Sequence, residues 1–590
     1  MLLIRLVRRL TLFQLVWFTA AQTIADWSVL SSSVTGGLFS AEPLSRPCFA
    51  QYQGRPAQAD EAACARVRAN YNNNSFYLEL ANGYLAHQSE ACLSEPLNRC
   101  TLNNTSSPPG IPQDGVCDQG LVPSYYLKVR DASDISKAFA FSKRFNIPLV
   151  IKNTGHDLMM RSSQEGSLML WVHGMDSMSF HEDFIPEGCG QDTGVGRAMT
   201  MATGVTTQAA VEFAASHDST IVASYSGTVS QSGGWILGGG HSVLSPAYGL
   251  GVDRVVQFKI VTPDGQLRIA NRCQHSDLFW ALRGGGGATF GVVVESTQRV
   301  EPSAPVAVAN IRLPSNSNVE TSVRWLELTA RHSLRWGKEG WGGHVGGLYV
   351  THMNPLPLIA NLDDGGAAAR ESMKEVTEFA LSMGGTSVVE VLPDFLSVWN
   401  KYIVPGAGRD AGRTLFLASK LVPQKVFASE EGIKSIVDYV RGAASMGYDP
   451  RSFYITVDTP FVAGPPSCGK ETSVHPAWYR SLWMMPAGTS PMTWNASYSE
   501  RVGQIARLQE ITALAEDFAG PAAYSNEANP FTENWKEAFW GSNYDRLLQV
   551  KQKYDPEGLL NCWKCVGFED EDILSPRFRC QGKLQIDARK

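Results

Sequence analysis

The stretch KNTGHDLMMRSS, residues 152–163, decides the fold of this 590-residue chain. It gathers amide, hydroxyl, carboxylate and guanidinium side chains around one histidine, His156. The hydrophobic pattern before it predicts a strand over Tyr126–Val129, a helix over Ala132–Phe145 and a buried strand over Leu149–Ile151. A strand–helix–strand unit therefore leads directly into the histidine loop.

His156 admits several interpretations. A lone histidine is most often a surface residue or a satisfied core group. A metal site needs further His, Asp or Glu at ligand spacing, and only Asp157 is adjacent. A nucleophilic triad needs a serine in an elbow such as Gly-x-Ser-x-Gly, and none stands out. What remains is a histidine after an Asn-Thr-Gly turn, beside an anion-binding surface.

Glycine is concentrated in two runs, Ser226–Ser242 and Asp277–Gly291. Such runs let backbone N–H groups approach a phosphate closely, although tight packing or flexible turns explain a single run equally well. Neither run matches Gly-x-Gly-x-x-Gly after a strand, and no phosphate loop ends in Gly-Lys-Ser/Thr. Two runs, flanked by Trp235, Phe279 and Trp280, favour a phosphate-bearing cofactor.

Together these motifs resemble the vanillyl-alcohol-oxidase family, and within it the berberine-bridge-enzyme-like flavoproteins of fungi. The resemblance covers about residues 119–302 and 505–568, where Tyr524-Ser-Asn526 and Lys553–Cys562 add further family motifs. The family implies an α+β fold. A PCMH-type FAD-binding domain of two subdomains is joined to an α+β substrate domain with an antiparallel sheet, and a C-terminal segment returns to the FAD domain.

The changes in composition and the resemblance divide the chain into six parts. They are a signal peptide (1–22), a Cys/Asn-rich extension (23–118), the FAD-binding domain (119–302), the substrate domain (303–504), a berberine-bridge-enzyme-like element (505–568) and a tail (569–590). Within the substrate domain, periodicity predicts strands at 308–313, 347–351 and 453–457 and helices at 319–332, 367–382 and 425–446.

The resemblance implies FAD as cofactor, attached covalently to His156. The other cofactor-binding residues that it implies are Asn153, Thr154, Gly155, Asp157, Arg161, Ser162, Gly227, Thr228, Ser232, Gly233, Gly234, Gly239, Gly240, His241, Val293 and Asn561. Many relatives attach the flavin a second time through a cysteine. Gly227 occupies that place here, and residues 222–242 contain no cysteine, so we expect a single link. Ser230 lies near where relatives control oxygen access, which leaves the oxidant open.

The implied reaction is hydride transfer from a small organic substrate, a secondary metabolite or a sugar, with molecular oxygen as acceptor and hydrogen peroxide as product. Tyr524 and Asn526 are the expected catalytic residues, with Tyr524 a candidate base; His475, Tyr479 and Glu390 are weaker candidates. A flavin dehydrogenase, a redox-neutral flavin enzyme and a non-catalytic secreted glycoprotein that keeps the fold are the alternatives. The oligomeric state stays open.

Several features predict secretion. The first 22 residues combine a basic start with a short apolar run, and acceptor sequons for N-glycosylation occur at Asn73, Asn103, Asn104 and Asn495. Eleven cysteines indicate disulfides, with Cys562-Trp-Lys-Cys565 more typical of a disulfide than of a zinc site. No metal ligand set and no later membrane-spanning stretch stand out, and a net charge of −6 argues against a nucleic-acid partner.

Overall fold

The structure is a computed structural model that describes residues 25–406, 411–466, 471–488 and 492–590. The predicted signal peptide and Cys468 lie outside these described residues. Among them, no helix is long and apolar enough to cross a bilayer.

The N-terminal extension contains short elements held by the disulfides Cys48–Cys64 and Cys100–Cys117. Its elements are helices α1 (Trp27–Ser33), α2 (Glu61–Asn70) and α3 (Asn74–Leu78) and strands β1 (Leu38–Ser40), β2 (Gln51–Tyr52) and β3 (Arg55–Pro56). A third disulfide, Cys92–Cys580, joins the extension to the end of the chain.

The next part contains two larger sheets with a helix between them and a two-stranded sheet of its strands Ser219–Thr220 and Glu301–Pro302. Its strands are β4 (Tyr125–Lys128), β5 (Leu149–Lys152), β6 (Leu168–Trp171), β7 (Met178–His181), β8 (Ala198–Ala202), β9 (Ser219–Thr220), β10 (Val255–Val261), β11 (Leu267–Asn271), β12 (Val292–Arg299) and β13 (Glu301–Pro302). Its helices are α4 (Ala132–Phe145), α5 (Thr207–Ala215), α6 (Gly234–Gly238), α7 (Ser245–Tyr248), α8 (Gly251–Arg254) and α9 (Ser276–Leu282).

The first sheet has the order β1-β4-β6-β5, in which β4, β6 and β5 run parallel, and the second has the antiparallel order β11-β10-β12-β8-β7. Helix α4 begins after Asp131, whose side chain accepts a hydrogen bond from the N–H of Asp134, and ends at Asn146 in the left-handed conformation. Its apolar face, including Ile135 and Phe139, packs in one core with residues of both sheets. The predicted helix Ala132–Phe145 is confirmed.

The third part is built on a seven-stranded antiparallel sheet of order β17-β14-β16-β15-β19-β20-β18. Its strands are β14 (Val306–Arg312), β15 (Gly342–Gly346), β16 (Tyr349–Asn354), β17 (Thr386–Leu392), β18 (Leu417–Pro423), β19 (Tyr454–Thr456) and β20 (Ser481–Gly488). Its helices are α10 (Val319–Glu339), α11 (Ala367–Ser372), α12 (Lys374–Ser382), α13 (Phe395–Val398) and α14 (Glu430–Ser445).

Residues alternate between the two faces of this sheet. Ala307, Ala309 and Ile311 of β14 share a core with the helices α10 and α14. Val306 and Val308 instead pack with residues of the two-sheet part that precedes it. The second face of the sheet is therefore turned toward that part.

The C-terminal segment returns to the two-sheet part of the chain, as predicted. Its helices are α15 (Tyr498–Leu514), α16 (Glu516–Ala519), α17 (Trp535–Trp540), α18 (Tyr544–Tyr554) and α19 (Arg579–Ala588). Trp540 and Leu547 share a core with Trp235, Phe258 and Phe279. The mixed α+β architecture with a large antiparallel sheet is that expected from the sequence.

Several predicted boundaries in the third part are wrong. The helix from Val319 continues to Glu339 and stops at Gly340, which has a positive φ of 90°. The helix predicted over 367–382 is broken at Met373 into α11 and α12, and the one over 425–446 begins as a 3-10 turn before α14. The strand predicted from Gly347 starts at Tyr349, because residues 347–348 form the turn of the β15–β16 hairpin.

The structure gives the pairing of the cysteines, of which only that between Cys562 and Cys565 was predicted. Cys562 and Cys565 form a disulfide, and Cys189 pairs with Cys273. The N-terminal cysteines do not all pair among themselves, since the partner of Cys92 lies 488 residues away.

Candidate active site

The histidine loop follows β5 and is folded around Asp157. Oδ2 of Asp157 accepts hydrogen bonds from the N–H groups of Arg161 and Ser162, each at 2.8 Å, and from the Ser162 hydroxyl at 2.7 Å. Oδ1 accepts a fourth from the N–H of Met159 at 3.0 Å. The carboxylate of Asp157 thus accepts hydrogen bonds from three backbone N–H groups of a loop that lies outside any helix or strand.

Arg161 docks this loop onto the C-terminal segment. Its guanidinium donates to three carbonyl oxygens, those of Trp563 at 3.0 Å, Lys564 at 2.9 Å and Ser525 at 3.2 Å. Burial lowers the pKa of Arg161 to about 10, against the opposing effect of Asp157. The side chain therefore stays charged and holds two parts of the site together.

His156 projects from the same loop toward the first glycine run. Its Nε2 lies 2.8 Å from the hydroxyl of Thr228, which in turn lies 3.1 Å from the hydroxyl of Ser226. Burial, together with the nearby Lys152, lowers the pKa of His156 to about 4. The imidazole is accordingly neutral near pH 7 and keeps a nucleophilic nitrogen.

Lys152 is an unpredicted member of the site. It is completely buried, its Nζ donates to the carbonyl of Leu80 at 3.1 Å, and burial lowers its pKa to about 7. The Nζ lies 5.4 Å from the ring centre of Tyr84 and 5.8 Å from that of Trp171. The N-terminal extension thus forms a wall behind the histidine loop.

The first glycine run meets the histidine loop at Asn153. The Nδ2 of Asn153 donates to the carbonyl of Thr203 at 2.5 Å and to the hydroxyl of Ser230 at 3.1 Å, while its Oδ1 is buried without a partner among the described residues. A Cβ on Gly233 would lie 2.8 Å from that Nδ2, whereas one on Gly234 would meet nothing within 4 Å. An orphaned buried acceptor beside open space bordered by glycine fits a cofactor with hydrogen-bonding groups.

Two other glycines are required by their surroundings. Gly155 has a φ of +91°, and a Cβ there would lie 2.5 Å from the carbonyl oxygen of Gly83. Gly239 has a φ of +139°, and its Cβ would lie 3.5 Å from the ring of Tyr524. Thr154, next to Gly155, is buried. The positive φ favours glycine at both places, and at Gly155 a side chain would also collide with a backbone oxygen.

Three of the predicted cofactor-binding residues make other contacts. The Ser232 hydroxyl is 2.7 Å from that of Ser296, and Val293 is buried on β12. The Nδ2 of Asn561 donates to Asp572 at 3.2 Å, while its Oδ1 is buried without a partner in the described part of the chain.

Tyr524 and Asn526 lie together beside the first glycine run. The Nδ2 of Asn526 donates to the Tyr524 hydroxyl at 2.8 Å and to the carbonyl of Gly234 at 3.1 Å. Burial and then Glu527 raise the pKa of Tyr524 above its usual range, against hydrogen bonds from Asn526 and the Gly240 N–H. The phenol therefore stays protonated in this site, which opposes its expected role as the resting base.

A buried charged cluster lies against Tyr524. His241 bonds through Nδ1 to Asp458 at 2.9 Å and through Nε2 to Glu527 at 3.1 Å, and its ring centre is 5.2 Å from that of Tyr524. Burial alone lowers the pKa of His241, but Glu527 and Asp458 outweigh it and raise the pKa to about 10. His241 is thus an imidazolium held between two carboxylates.

The sheet face that points toward this cluster carries His344, a residue that the sequence analysis missed. His344 is 1% exposed, its Nε2 has no partner among the described residues, and burial lowers its pKa to about 4. Its ring centre is 4.1 Å from that of Tyr225 and 4.7 Å from that of Tyr454. Tyr454 is 39% exposed although its strand is internal in the sheet, so an aromatic recess opens here.

The weaker base candidates are engaged elsewhere. The Tyr479 hydroxyl donates to Asp253 at 2.7 Å, and Glu390 accepts from Lys401 at 2.6 Å. The Nδ1 of His475 accepts from a backbone N–H two residues on, at 3.0 Å. Within the described residues, no group of three or more His, Cys, Asp or Glu is arranged to hold a metal ion.

The fold and these loops define an FAD-binding oxidoreductase. Residues 123–271 match the model of the FAD binding domain family, and residues 523–563 match that of the berberine and berberine-like family. The FAD-linked oxidoreductase OXR2 of Pyricularia oryzae is 38% identical over 576 residues, which cover 96% of each chain. The chain therefore belongs to the berberine-bridge-enzyme-like, VAO-type FAD-linked oxidoreductases.

Solved structures agree with that assignment. The VAO-type flavoprotein MtVAO615 from Myceliophthora thermophila is 28% identical and superposes with a TM-score of 0.76, covering 92% of this chain and 94% of its own. A chitooligosaccharide oxidase shares the fold at 17% identity and a TM-score of 0.59, covering 76% of this chain and 92% of its own.

Proposed function

We propose that this FAD-linked oxidoreductase is an oxidase whose FAD is attached through His156 alone. It would remove a hydride and a proton, together two electrons and two protons, from a neutral, hydroxyl-bearing organic substrate, and oxygen would take up both electrons and both protons and leave as hydrogen peroxide. FAD, when bound, supplies the acceptor of the substrate hydride. The observation that carries the proposal is that a neutral, half-buried His156 and Tyr524 both lie against the first glycine run, at Thr228 and Gly239.

The contacts of His156 favour attachment through Nδ1. If Nε2–H donates to the Thr228 hydroxyl, which lies 2.8 Å away, the free electron pair is on Nδ1. Burial keeps the ring neutral, so this pair is available near pH 7. A glucooligosaccharide oxidase from Acremonium strictum, 20% identical, carries an 8α-N1-histidyl FAD together with a 6-S-cysteinyl link.

Gly227 supports a single link in this chain. A Cβ at Gly227 would lie 3.2 Å from Oε1 of Gln208 and 3.6 Å from the ring of Trp399. Glycine offers no sulfur, and the two neighbours occupy the space into which a side chain would extend.

Tyr524 and Glu527 are our candidates for handling the substrate proton. The protonated phenol of Tyr524 can orient a substrate oxygen by donating a hydrogen bond to it, while Asn526 fixes the ring from the other side. Glu527 is 28% exposed and uses Oε1 to contact His241. Its other oxygen can take the proton that the substrate hydroxyl loses, so that no charge accumulates on the phenol.

The recess around His344 supports a planar or ring-containing substrate. Tyr225 and Tyr454 offer ring faces and edges for stacking, and the neutral imidazole offers a single hydrogen-bonding nitrogen. The three side chains of the recess carry no charge themselves, which favours an uncharged polar ring system, as found in many secondary metabolites and in sugars.

Secretion remains part of the proposal. Five disulfides are typical of an oxidising compartment. Of the four sequons, Asn73 and Asn495 are exposed, whereas the Nδ2 of Asn104 donates to the carbonyl of Gly412 at 2.6 Å. We therefore expect glycans first at Asn73 and Asn495.

Acid precipitation followed by peptide mass spectrometry tests the attachment. Yellow colour should stay with the pellet and map to the His156 peptide, and His156→Ala should release it to the supernatant, while the matched control His181→Ala keeps it. An oxygen electrode then tests the acceptor with a panel of hydroxylated ring compounds. Turnover with a dye but without oxygen uptake would make the protein a dehydrogenase instead.

A further inference from the structure

A small cavity lies away from the proposed active site, where the N-terminal extension meets the substrate domain and helix α15. Its wall includes Arg99 and Thr101 of the extension, Thr414, Thr493 and Trp494 of the substrate domain, and Arg501 of α15. The cavity offers about 20 Å³ to the centre of a water-sized sphere, whereas a single water needs about 10–15 Å³ by the same measure. It therefore accommodates one small species and no organic substrate.

Arg501 is the least satisfied charge on this wall. It is only 6% exposed, its Nε is buried without a partner, and no described residue accepts a hydrogen bond from its guanidinium or forms an ion pair with it. The ring of Tyr498 lies 5.8 Å away on the same helix, and Arg99 and Glu95 are charged groups that act on Arg501 electrostatically. A buried guanidinium without an acceptor is costly, so an unseen acceptor is expected.

Arg99 faces the same cavity and is only partly satisfied. It is 3% exposed, and its Nε is also buried without a partner among the described residues. NH2 donates to Asp114 at 2.8 Å, and NH1 lies 3.4 Å from the hydroxyl of Thr101. Trp494 covers its guanidinium, with the ring centre 5.3 Å away.

The charges around the cavity do not balance. Asp114 is the only carboxylate that pairs with either arginine within the described residues. His87 also lines the cavity, but burial lowers its pKa to about 3, so it is neutral. Glu90 contacts His87 at 3.6 Å, and burial raises the pKa of this carboxyl well above its usual range. Glu95 also attracts Arg501, but it is exposed and forms no ion pair with it among the described residues. Of the carboxylates around the two guanidinium groups, Asp114 is thus the one in direct contact within the described part of the chain.

We propose that this cavity binds a small inorganic anion, a halide such as chloride, between the guanidinium groups of Arg99 and Arg501. The size of the cavity excludes a phosphate or a carboxylic acid with a carbon chain, and the three threonine hydroxyls can donate further hydrogen bonds. The ion joins the extension to α15 across a contact that would otherwise place two like charges side by side.

Bromide is the probe, because its anomalous scattering distinguishes it from water. Crystals of the complete protein grown in bromide should show one anomalous peak between Arg99 and Arg501. In solution, replacing gluconate by bromide at constant ionic strength should raise the Tm by about 2 °C, since a ligand bound only by the folded state stabilises it.

Arg501→Met keeps the length of the side chain and removes one of the two charges. Its Tm should no longer respond to bromide, while Arg507→Met, on the exposed side of the same helix, should respond as the unchanged protein does. Absence of the peak, with water in its place, overturns the proposal, as does an equal bromide response in all three proteins. The diffraction result on the unchanged protein decides the question even if Arg501→Met fails to fold.

Discussion

The charge on His241 can be tested by the substitution Asp458→Asn. The amide is nearly the same size as the carboxylate, and its Oδ1 can still accept the hydrogen bond that the Gly343 N–H makes at 3.0 Å. Its Nδ2, however, would point a donor at the Nδ1 of His241, where the carboxylate accepted at 2.9 Å. The variant therefore weakens the imidazolium without opening a cavity.

The expected loss of stability can be calculated from the shift in the pKa of His241. A rise of the His241 pKa from 6.5 to about 10 corresponds to about 5 kcal/mol of stability, at about 1.36 kcal/mol per pKa unit. Asp458 is one of two carboxylates responsible, and removing one partner of a buried pair costs about 3–5 kcal/mol. We therefore expect Asp458→Asn to lower the free energy of unfolding by about 3 kcal/mol at about pH 6.

The direction of the pKa shift also determines how the stability contributed by His241 changes with pH. Because the folded-state pKa is the higher one, the stability from His241 is complete below about pH 6.5 and is lost as the pH rises toward about 10. The difference between the unchanged protein and Asp458→Asn should shrink over that interval, since a deprotonated imidazole gains nothing from the carboxylate.

Urea unfolding at about pH 6, 7.5 and 9 measures this difference. Asp449→Asn is the control: its exposed ion pair with Arg451 contributes about 1 kcal/mol or less, and its small effect should change little with pH. A difference for Asp458→Asn that stays constant or widens with rising pH would refute the imidazolium assignment.

Other variants test the remaining contacts. Tyr524→Phe should lower kcat about 100-fold while the flavin spectrum is kept, as measured by stopped-flow bleaching; unchanged bleaching would remove Tyr524 from the reaction. Arg161→Met loses three hydrogen bonds to carbonyls and should lower the free energy of unfolding, measured by urea titration, by about 3 kcal/mol. A decrease of less than about 1 kcal/mol would contradict the role of Arg161 in docking the loop. Cys580→Ser, which frees Cys92, should lower stability by about 2–5 kcal/mol, seen as a lower Tm. Glycosidase treatment with peptide mapping should find Asn495 occupied, and an unmodified peptide from secreted protein would contradict this.

Features that depend on residues close together in the chain could be predicted from the sequence, whereas features that depend on distant residues could not. Helix α4 was predicted to its last residue, because Asp131 and Asn146 mark its ends locally. The role of Asp157 in folding its own loop is equally local. By contrast, Asp458 lies 217 residues from His241, and the sequence around either residue does not indicate that the two form an ion pair.

The recess on the substrate domain was missed for a related reason. His344 stands in a short strand between glycines, where a single polar residue carries no periodic signal. Only the pairing of β15 with β16 and β19 brings Tyr454 and Thr351 beside it. Sheet partners are set by tertiary structure, so the residues that we propose to meet a substrate could not be predicted from the sequence.

The three acceptors of Arg161 also bear on how the protein is made. The carbonyls of Trp563 and Lys564 lie about 400 residues beyond the loop that they hold, as the separations of 402 and 403 residues show. A chain cut before Trp563 would keep the Thr228 hydroxyl beside His156 and the Ser525 carbonyl, but it would lack two of the three acceptors that hold the loop. It would also lack Cys580, the disulfide partner of Cys92. The loop around His156 therefore depends on residues made long after it.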